Sequence, residues 1–292
     1  MLILISDAFD NVLPGKLARF GEVTDDQARL PEADIVLIRS KTKCTKEWID
    51  RATNLKLIIR GGVGMDNIDR EYAASKGVKS VNTAAASAIA VAELSFALML
   101  AVPNRLIEGH NGMKEGKWLK KELKRTELFG KTLGLLGIGN IGTEVAKRAA
   151  AFGMKVIAYR QSDKTSDYAE VVANVDDLYA RADYISIHLP LNDGSKGMID
   201  AAAIAKMKDG VIIVNTGRGK VVIEPDLAAA LTSGKVAAYA TDVWYSDPPA
   251  DDCPLLNAPN VIMTPHIGAS TKENMGRIGE IAVEIISDFI KD

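Results

Sequence analysis

One histidine and one arginine stand where side chains of an α/β protein can reach a ligand. His266 follows an apolar run, in a Pro-His setting with a Gly-Ala-Ser turn behind it, and Arg218 follows the run Val-Asn-Thr-Gly. Ligands of open parallel sheets bind beyond the carboxyl ends of the strands, where loop residues carry function. An imidazole exchanges a proton near neutral pH, and a guanidinium can bind a carboxylate through two hydrogen bonds. The two residues could therefore serve as an acid–base group and a carboxylate anchor.

A glycine-rich loop supplies a second candidate site. The sequence Gly137-Ile-Gly139-Asn-Ile-Gly142 follows a short apolar run and precedes a helical pattern. In this setting the first glycine permits a tight turn, the second admits a pyrophosphate and the third lets the helix pack closely on the strand. The free N–H groups and the dipole of the helix N-terminus favour the phosphates. The loop therefore predicts a dinucleotide site in preference to a simple packing turn.

Alternating β-rich and helical patterns must position these residues. Such alternation predicts parallel sheets covered by helices on both faces, and ten predicted strands exceed one comfortable sheet. We therefore expect an α/β fold with two doubly wound, Rossmann-like domains. The predicted strands lie near Leu2–Ile5, Ile35–Ile38, Lys56–Ile59, Lys79–Val81, Thr132–Leu136, Lys155–Tyr159, Tyr184–Ile187, Val211–Val214, Ala237–Ala240 and Val261–Met263.

The predicted domain boundary lies near residue 87, where an Ala-rich helix, Ser87–Ala101, leaves the first domain. The last amphipathic pattern, Thr271–Ile290, has no strand after it, so we expect it to pack on the N-terminal domain. The first domain would then be discontinuous, comprising 1–86 plus 270–292, and the dinucleotide-binding domain would comprise 87–269. The cleft between two such domains is the default position for an active site.

Composition excludes several other classes of protein. The chain has 292 residues, of which 47% are hydrophobic and 25% charged, as in ordinary globular proteins. A net charge of −2 gives no basic field for nucleic acid, and Glu93 interrupts the best candidate membrane span. Cys44 and Cys253 have neither metal-ligand spacing nor a disulfide framework, and the N-terminus is typical of a strand, not a signal peptide. We expect a cytoplasmic protein without a metal, nucleic-acid or membrane partner.

Four further motifs carry a family resemblance. They are Arg60-Gly-Gly-Val-Gly-Met-Asp-Asn-Ile-Asp69, Ile187-His-Leu-Pro-Leu191, Val214-Asn-Thr-Gly-Arg-Gly219 and Thr264-Pro-His-Ile-Gly-Ala-Ser270. In this order and spacing they resemble the D-isomer-specific 2-hydroxyacid dehydrogenases over nearly the whole chain. Within the family, Ile38-Arg-Ser-Lys-Thr42, Gly116-Lys-Trp118 and His266–Glu273 are most similar to the phosphoglycerate dehydrogenases. The chain stops where longer members continue into a regulatory domain, so it resembles the short form.

The resemblance implies a catalytic set. His266 would take the proton of the C2 hydroxyl during hydride transfer, and Arg218 would bind the substrate carboxylate together with the backbone N–H groups of Val63 and Gly64. The family usually has a glutamate five residues after the aspartate of its Asp-Val-Phe stretch. Here that position is Asp247, one methylene shorter, which can still accept a hydrogen bond from an imidazole N–H.

The resemblance also implies coenzyme contacts. An NAD-binding chain would normally place an acid directly after the strand that ends at Tyr159. This chain has Arg160 there, which favours NADP or the use of both NAD and NADP, although Arg160 could instead stack on the adenine while NAD binds. The other implied coenzyme contacts are Gly137, Gly139, Asn140, Ile141, Gly142, His188, Pro190, Thr216 and Asp242. For His188 a structural role is the alternative.

Three interpretations of the function are open. Arg39, beside Lys41, is the family-matched candidate for binding a phosphate, which favours oxidation of D-3-phosphoglycerate to 3-phosphohydroxypyruvate in serine biosynthesis. A glyoxylate or hydroxypyruvate reductase of the same family would suit Arg160. A non-enzymatic nucleotide-sensing module is the third, because a fold does not fix a function. The resemblance implies a homodimer, with Ser87–Ala101 and the following loop as contacts.

Overall fold

The computed structural model describes residues 1–159 and 166–291, and it divides into two compact units. The first unit is Met1–Ala90 with Ala269–Asp292, and the second is Val91–Gly268. The divisions predicted from the sequence lie at 86/87 and 269/270. Each unit contains one parallel sheet with helices, so the predicted α/β Rossmann-like class is confirmed.

The first unit has a five-stranded parallel sheet of order β2-β1-β3-β4-β5. Alternate side chains of its strands enter two different cores, as a sheet covered on both faces requires. Leu37 packs in one core with Ala282 and Ile286 of the last helix, and Val36 packs in the other. The elements are β1 (Leu2–Ile5), α1 (Leu13–Leu17), β2 (Glu22–Thr24), β3 (Ile35–Ile38), α2 (Lys46–Arg51), β4 (Leu57–Arg60), α3 (Arg70–Ser75), β5 (Lys79–Asn82) and α10 (Lys272–Lys291).

The second unit has a seven-stranded parallel sheet of order β12-β11-β10-β9-β6-β7-β8 among the described residues. Helix α4 (Ala88–Ala101) enters it along the chain. The remaining elements are α5 (Leu106–Lys114), β6 (Thr132–Leu136), α6 (Asn140–Ala151), β7 (Lys155–Tyr159), β8 (Glu170–Val172), α7 (Val175–Arg181), β9 (Tyr184–Ile187), α8 (Ala201–Lys206), β10 (Val211–Asn215), α9 (Glu224–Ser233), β11 (Val236–Thr241) and β12 (Val261–Met263).

Among the described residues, no single helix is long and apolar enough to cross a bilayer. The bent pair formed by α4 and α5 passes the same test of length and composition when the two helices are taken together. Much of α4 is buried in the protein, as for Ala92 and Met99.

Candidate active site

Three neighbouring strands deliver the candidate catalytic residues to one edge of the second sheet. Because β10, β11 and β12 are adjacent and parallel, their carboxyl ends open at the same edge. Strand β10 leads to Arg218, β11 leads to Asp242 and on to Asp247, and β12 leads to His266. This is the edge at which open α/β sheets bind ligands.

His266 and Asp247 form a hydrogen-bonded pair. The distance from the imidazole Nδ1 to Asp247 Oδ2 is 2.5 Å, and the side chains are 40% and 47% exposed respectively. This is the partnership that the family resemblance implied, and the shorter aspartate reaches the ring. Since Nδ1 is held by the carboxylate, Nε2 is the nitrogen that can exchange a proton with a ligand.

The loop around His266 is tied to the end of β11. Asp242, only 2% exposed, accepts hydrogen bonds at Oδ1 from Thr264 Oγ1 (2.7 Å) and the Ile267 N–H (2.8 Å), and at Oδ2 from the Gly268 N–H (2.8 Å). The Trp244 indole Nε1 donates to the Thr264 carbonyl at 3.2 Å. His266 itself has a backbone φ of 55°, in the left-handed region.

Arg218 lies in a turn that is held by side-chain hydrogen bonds of the buried Asn215. Asn215 is fully buried, its Oδ1 accepts from the Gly217 N–H at 3.0 Å, and its Nδ2 donates to the Arg218 carbonyl at 3.1 Å. Arg218 is half-buried, and its Nη1 donates to the Gly217 carbonyl at 2.8 Å. A Cβ on Gly219 would lie 2.0 Å from the backbone of Trp244. The arginine turn therefore packs directly on the segment that also holds the His266 loop.

The three glycines of the dinucleotide motif have three different surroundings. Gly137 has a φ of +97°, as the tight turn requires. A Cβ on Gly139 would meet no atom within 4 Å, whereas a Cβ on Gly142 would lie 2.3 Å from the Gly137 carbonyl oxygen. The second position thus leaves room for a ligand and the third permits close packing. A cavity of about 290 Å³ adjoins this loop and is lined also by Tyr159 and Pro190.

Alanine substitutions at the second and third glycines should separate these two roles. Gly142→Ala forces its methyl group against backbone and should destabilise the protein by about 1–3 kcal/mol, which lowers Tm by several degrees. Gly139→Ala should leave Tm within about a degree but weaken NADH binding about tenfold, because the methyl group occupies the pyrophosphate approach. Thermal unfolding and NADH fluorescence titration measure both effects. Unchanged NADH affinity of Gly139→Ala would rule out this loop as the pyrophosphate cradle.

His188 follows β9, next to the glycine-rich loop. A Cβ on Gly137 would lie 2.9 Å from the His188 carbonyl oxygen. The ring Nε2 lies 2.8 Å from Ser186 Oγ, and Nδ1 is buried without a hydrogen-bond partner among the described residues. Burial lowers the pKa of His188 from 6.5 to about 4. The ring is therefore neutral at physiological pH, and the predicted coenzyme contact would involve an uncharged imidazole.

This burial predicts a specific loss of stability in acid. Below pH 6.5 the unfolded chain protonates His188, whereas the folded protein keeps it neutral to about pH 4. The free energy of unfolding should therefore fall by about 2 kcal/mol between pH 7 and pH 5 through this residue alone. His188→Gln should remove that share of the decrease, as measured by urea unfolding at both pH values. The control is His110→Gln, an exposed histidine, which should keep the wild-type difference in unfolding free energy between pH 7 and pH 5. If His188→Gln also kept the full wild-type difference, His188 would not be its source.

The predicted substrate residues of the first unit lie in two loops. The Arg39 N–H donates to Asp7 Oδ2 at 2.5 Å, and Asn67 Nδ2 donates to the carbonyls of Arg39 (2.7 Å) and Thr42 (2.6 Å). Burial lowers the pKa of Arg39, while neighbouring Asp7 acts in the opposite direction; an arginine nevertheless stays cationic. Its Nε is buried without a hydrogen-bond partner among the described residues.

The predicted carboxylate loop follows β4. Asn82 Nδ2 donates to the Val63 carbonyl at 2.6 Å, and the Gly62 N–H donates to Thr83 Oγ1 at 2.9 Å. Val63 and Gly64 are half-buried. Their backbone is therefore fixed by side chains of the neighbouring strand end.

Two further predictions concern coenzyme and metal. Arg160, the predicted reader of the coenzyme ribose, lies outside the described residues. Thr216 is buried, and its Oγ1 lies 2.7 Å from Ser95 Oγ. Over residues 1–159 and 166–291, no cluster of three or more His, Cys, Asp or Glu side chains could hold a metal ion.

The residues that support the site were not predicted from the sequence. Asn215 holds the arginine turn, Trp244 holds the histidine loop, and Asp7 and Asn67 hold the Arg39 loop. A polar residue directly after an apolar strand was the available signal for Asn215. No comparable signal marked Asp7, which is 32 residues from its partner.

Known proteins are similar to this chain over most of its length. The family model for the NAD binding domain of D-isomer specific 2-hydroxyacid dehydrogenases matches residues 96–268. Hydroxypyruvate reductase of Thermotoga maritima is 48% identical over 265 residues, which are 90% of this chain and 86% of that protein. D-3-phosphoglycerate dehydrogenase of Methanocaldococcus jannaschii is 43% identical over 267 residues, or 90% of this chain and 51% of that protein, so the chain spans about half of that relative.

A solved structure extends the likeness to the whole chain. The D-lactate dehydrogenase of Aquifex aeolicus, in complex with NAD and lactic acid, has a TM-score of 0.89 and 30% sequence identity. The likeness covers 100% of this chain and 96% of that one. By the family model and by relatives of this identity and coverage, the chain belongs to the D-isomer-specific 2-hydroxyacid dehydrogenases, as its motifs predicted.

Proposed function

We propose that this enzyme interconverts D-3-phosphoglycerate and 3-phosphohydroxypyruvate. The observation that carries an acid–base reaction is the His266–Asp247 pair, held at 2.5 Å on the ligand-binding edge of the second sheet. Arg218 stands at the same edge, on the turn after β10. A base with an orienting carboxylate and a nearby guanidinium is the set that oxidation of a 2-hydroxy acid needs.

In this proposal His266 Nε2 removes the proton of the C2 hydroxyl, and Asp247 stabilises the imidazolium through Nδ1. Arg218 binds the substrate carboxylate, together with the backbone N–H groups of Val63 and Gly64. A bound nicotinamide coenzyme supplies the hydride acceptor. The open space at Gly139 fits its pyrophosphate, with Gly137 and Gly142 shaping the turn. In the reverse direction the protonated His266 returns the proton to the carbonyl oxygen.

Arg39 supports a phosphorylated substrate. It follows β3 in the stretch Arg39-Ser-Lys-Thr42, and its backbone is fixed on one side by Asp7 and on the other by Asn67. Lys41 is exposed two residues later. A guanidinium and an ammonium on an ordered loop are suited to binding a phosphate.

The second candidate is a hydroxypyruvate or glyoxylate reductase. The 48% identity to the Thermotoga maritima hydroxypyruvate reductase, over 86% of that protein, favours it. The two candidate enzymes would use the same His266, Asp247 and Arg218. They differ in whether the enzyme binds a phosphate group of the substrate. Reduction rates with 3-phosphohydroxypyruvate, hydroxypyruvate and glyoxylate therefore test them directly.

We expect kcat/KM for 3-phosphohydroxypyruvate to exceed that for hydroxypyruvate by about tenfold or more, the effect of one good charged contact. Equal or better rates with the unphosphorylated acids would favour the reductase. We further propose that NAD is the coenzyme and that NADP is tolerated because Arg160 replaces the usual acid. NADH and NADPH measured in parallel test this, and a strict NADH requirement would contradict it.

Arg39 offers a sharper prediction. Arg39→Gln should lower kcat/KM for 3-phosphohydroxypyruvate about tenfold or more and leave that for hydroxypyruvate within about twofold, because only the phosphate loses a charged partner. Lys43→Gln removes an exposed charge four residues away and serves as the control. Equal losses on both substrates would show that Arg39 does not read the phosphate.

We also propose a homodimer. Exposed apolar side chains cluster on α5 and just after it, and such patches mark protein interfaces. Leu106 is 56% exposed, Met113 is 58% exposed and Trp118 is 74% exposed. Light scattering at micromolar concentration should give the mass of two chains, and the mass of one chain would contradict the proposal.

A further inference from the structure

We propose that Asp242 is a positioning residue for His266: its buried carboxylate clamps the histidine loop in the conformation that presents the ring to substrate. The inference rests on the proposed function, in which His266 is the acid–base group. It assigns Asp242 a task within the protein, distinct from the coenzyme contact that the family resemblance implies.

The carboxylate binds the loop on both sides of the histidine. Before His266, Thr264 Oγ1 donates to Oδ1 at 2.7 Å. After it, the N–H groups of Ile267 and Gly268 donate to Oδ1 and Oδ2, each at 2.8 Å. Two successive backbone N–H groups therefore converge on one carboxylate. An ionised carboxylate has about four acceptor positions, and three of them are used within this loop.

The histidine needs such a clamp because its backbone is strained. His266 has a φ of 55°, and a residue other than glycine keeps this conformation only where its surroundings fix it. The carboxylate is 2% exposed, so its hydrogen bonds are sheltered from water. A Cβ on Gly268 would lie 3.0 Å from Oδ2, so the loop is packed directly on the carboxylate.

The same segment controls both the backbone and the ring of His266. Trp244, two residues after Asp242, donates its indole N–H to the Thr264 carbonyl at 3.2 Å. Asp247, three residues further, binds the ring Nδ1 at 2.5 Å. The stretch from Asp242 to Asp247 thus fixes the loop at its backbone and the imidazole at its edge.

The test is Asp242→Asn, which keeps the volume but replaces one acceptor oxygen by an NH2 group facing N–H donors. We expect kcat with 3-phosphohydroxypyruvate, or with the best substrate of the panel, to fall about 10–100-fold. This loss should remain at saturating NADH, because the clamp acts on the histidine loop. Saturable NADH binding, measured by fluorescence, reports that the second unit has folded.

The decisive measurement repeats the substitution in a His266→Asn background. A residue that acts only through His266 has no further effect once the imidazole is gone, so the double variant should be about as slow as His266→Asn alone. An additional 10–100-fold loss in that background would overturn the proposal. So would an Asp242→Asn enzyme whose NADH Kd rises about tenfold while kcat is retained, because that is the signature of a coenzyme contact.

A second variant keeps the proposal testable if Asp242→Asn does not fold. Thr264→Val removes one of the three donors and no charge, and we expect it to lower kcat about threefold to tenfold, again only when His266 is present. Full activity of Thr264→Val would overturn the clamp. If His266→Asn itself retained wild-type turnover, the proposed function would fail, and this outcome is distinct from each of the others.

Discussion

Replacement of His266 by asparagine should lower kcat by at least about 10²–10⁴, the contribution of a positioned acid–base group. Asparagine keeps a polar side chain and tolerates the left-handed φ of 55° better than most residues, so the loop should survive while proton transfer is lost. Steady-state reduction of the preferred 2-keto acid at saturating NADH measures the change. The Kd of NADH should be unaltered.

The matched control is His110→Asn. His110 is exposed on α5, outside the chain segments that follow β10, β11 and β12. It should retain wild-type kcat. A His266→Asn enzyme with wild-type turnover would exclude His266 as the acid–base group and, with it, the mechanism proposed above.

Most of the fold was predictable because its strands are buried on both faces. Strands of this kind are continuous apolar runs, and the ten predicted strands all occur, with ends shifted by one residue at most. The two missed strands, β2 (Glu22–Thr24) and β8 (Glu170–Val172), are three residues long and lie at sheet edges. Each begins with a glutamate and gives no apolar run to detect, whereas the equally short edge strand β12 is Val-Ile-Met throughout and was predicted.

The candidate site was likewise predictable only in part from the sequence. The resemblance of the motifs to the family implied the roles of His266, Arg218 and Asp247, and the structure places all three after neighbouring strands of the second sheet. The geometry that supports them was beyond the sequence, since it depends on contacts between distant segments. Asp242 reaches the N–H groups of residues 25 and 26 positions away, and only the pairing of β11 with β12 brings these segments together.

Substitution of Arg218 should have the second largest effect. Arg218→Ala removes the charged partner of the substrate carboxylate and should lower kcat/KM about 10²–10³-fold, as loss of a buried charged contact of 2–5 kcal/mol implies. Arg218→Lys keeps the charge but not the planar pair of donors, so its activity should lie between those of Arg218→Ala and wild type. Arg181→Gln is the control. Arg181 of α7 forms an exposed salt bridge with Glu170 of β8, so this substitution should leave kcat/KM unchanged.

The division between kcat and KM then shows what the guanidinium does. If Arg218 holds the carboxylate equally in the ground and transition states, only KM rises, whereas a lower kcat means that its contact strengthens as charge develops at the C2 oxygen. We expect Arg218→Ala to raise KM and also to lower kcat. One Arg218 nitrogen already donates to the Gly217 carbonyl at 2.8 Å, and the turn is fixed by buried Asn215. A guanidinium anchored in this way is pre-organised and loses little freedom on binding. Added guanidinium ion should partly restore the activity of Arg218→Ala and have no effect on Arg181→Gln. Equal stimulation of both variants, or wild-type activity of Arg218→Ala, would contradict the assignment.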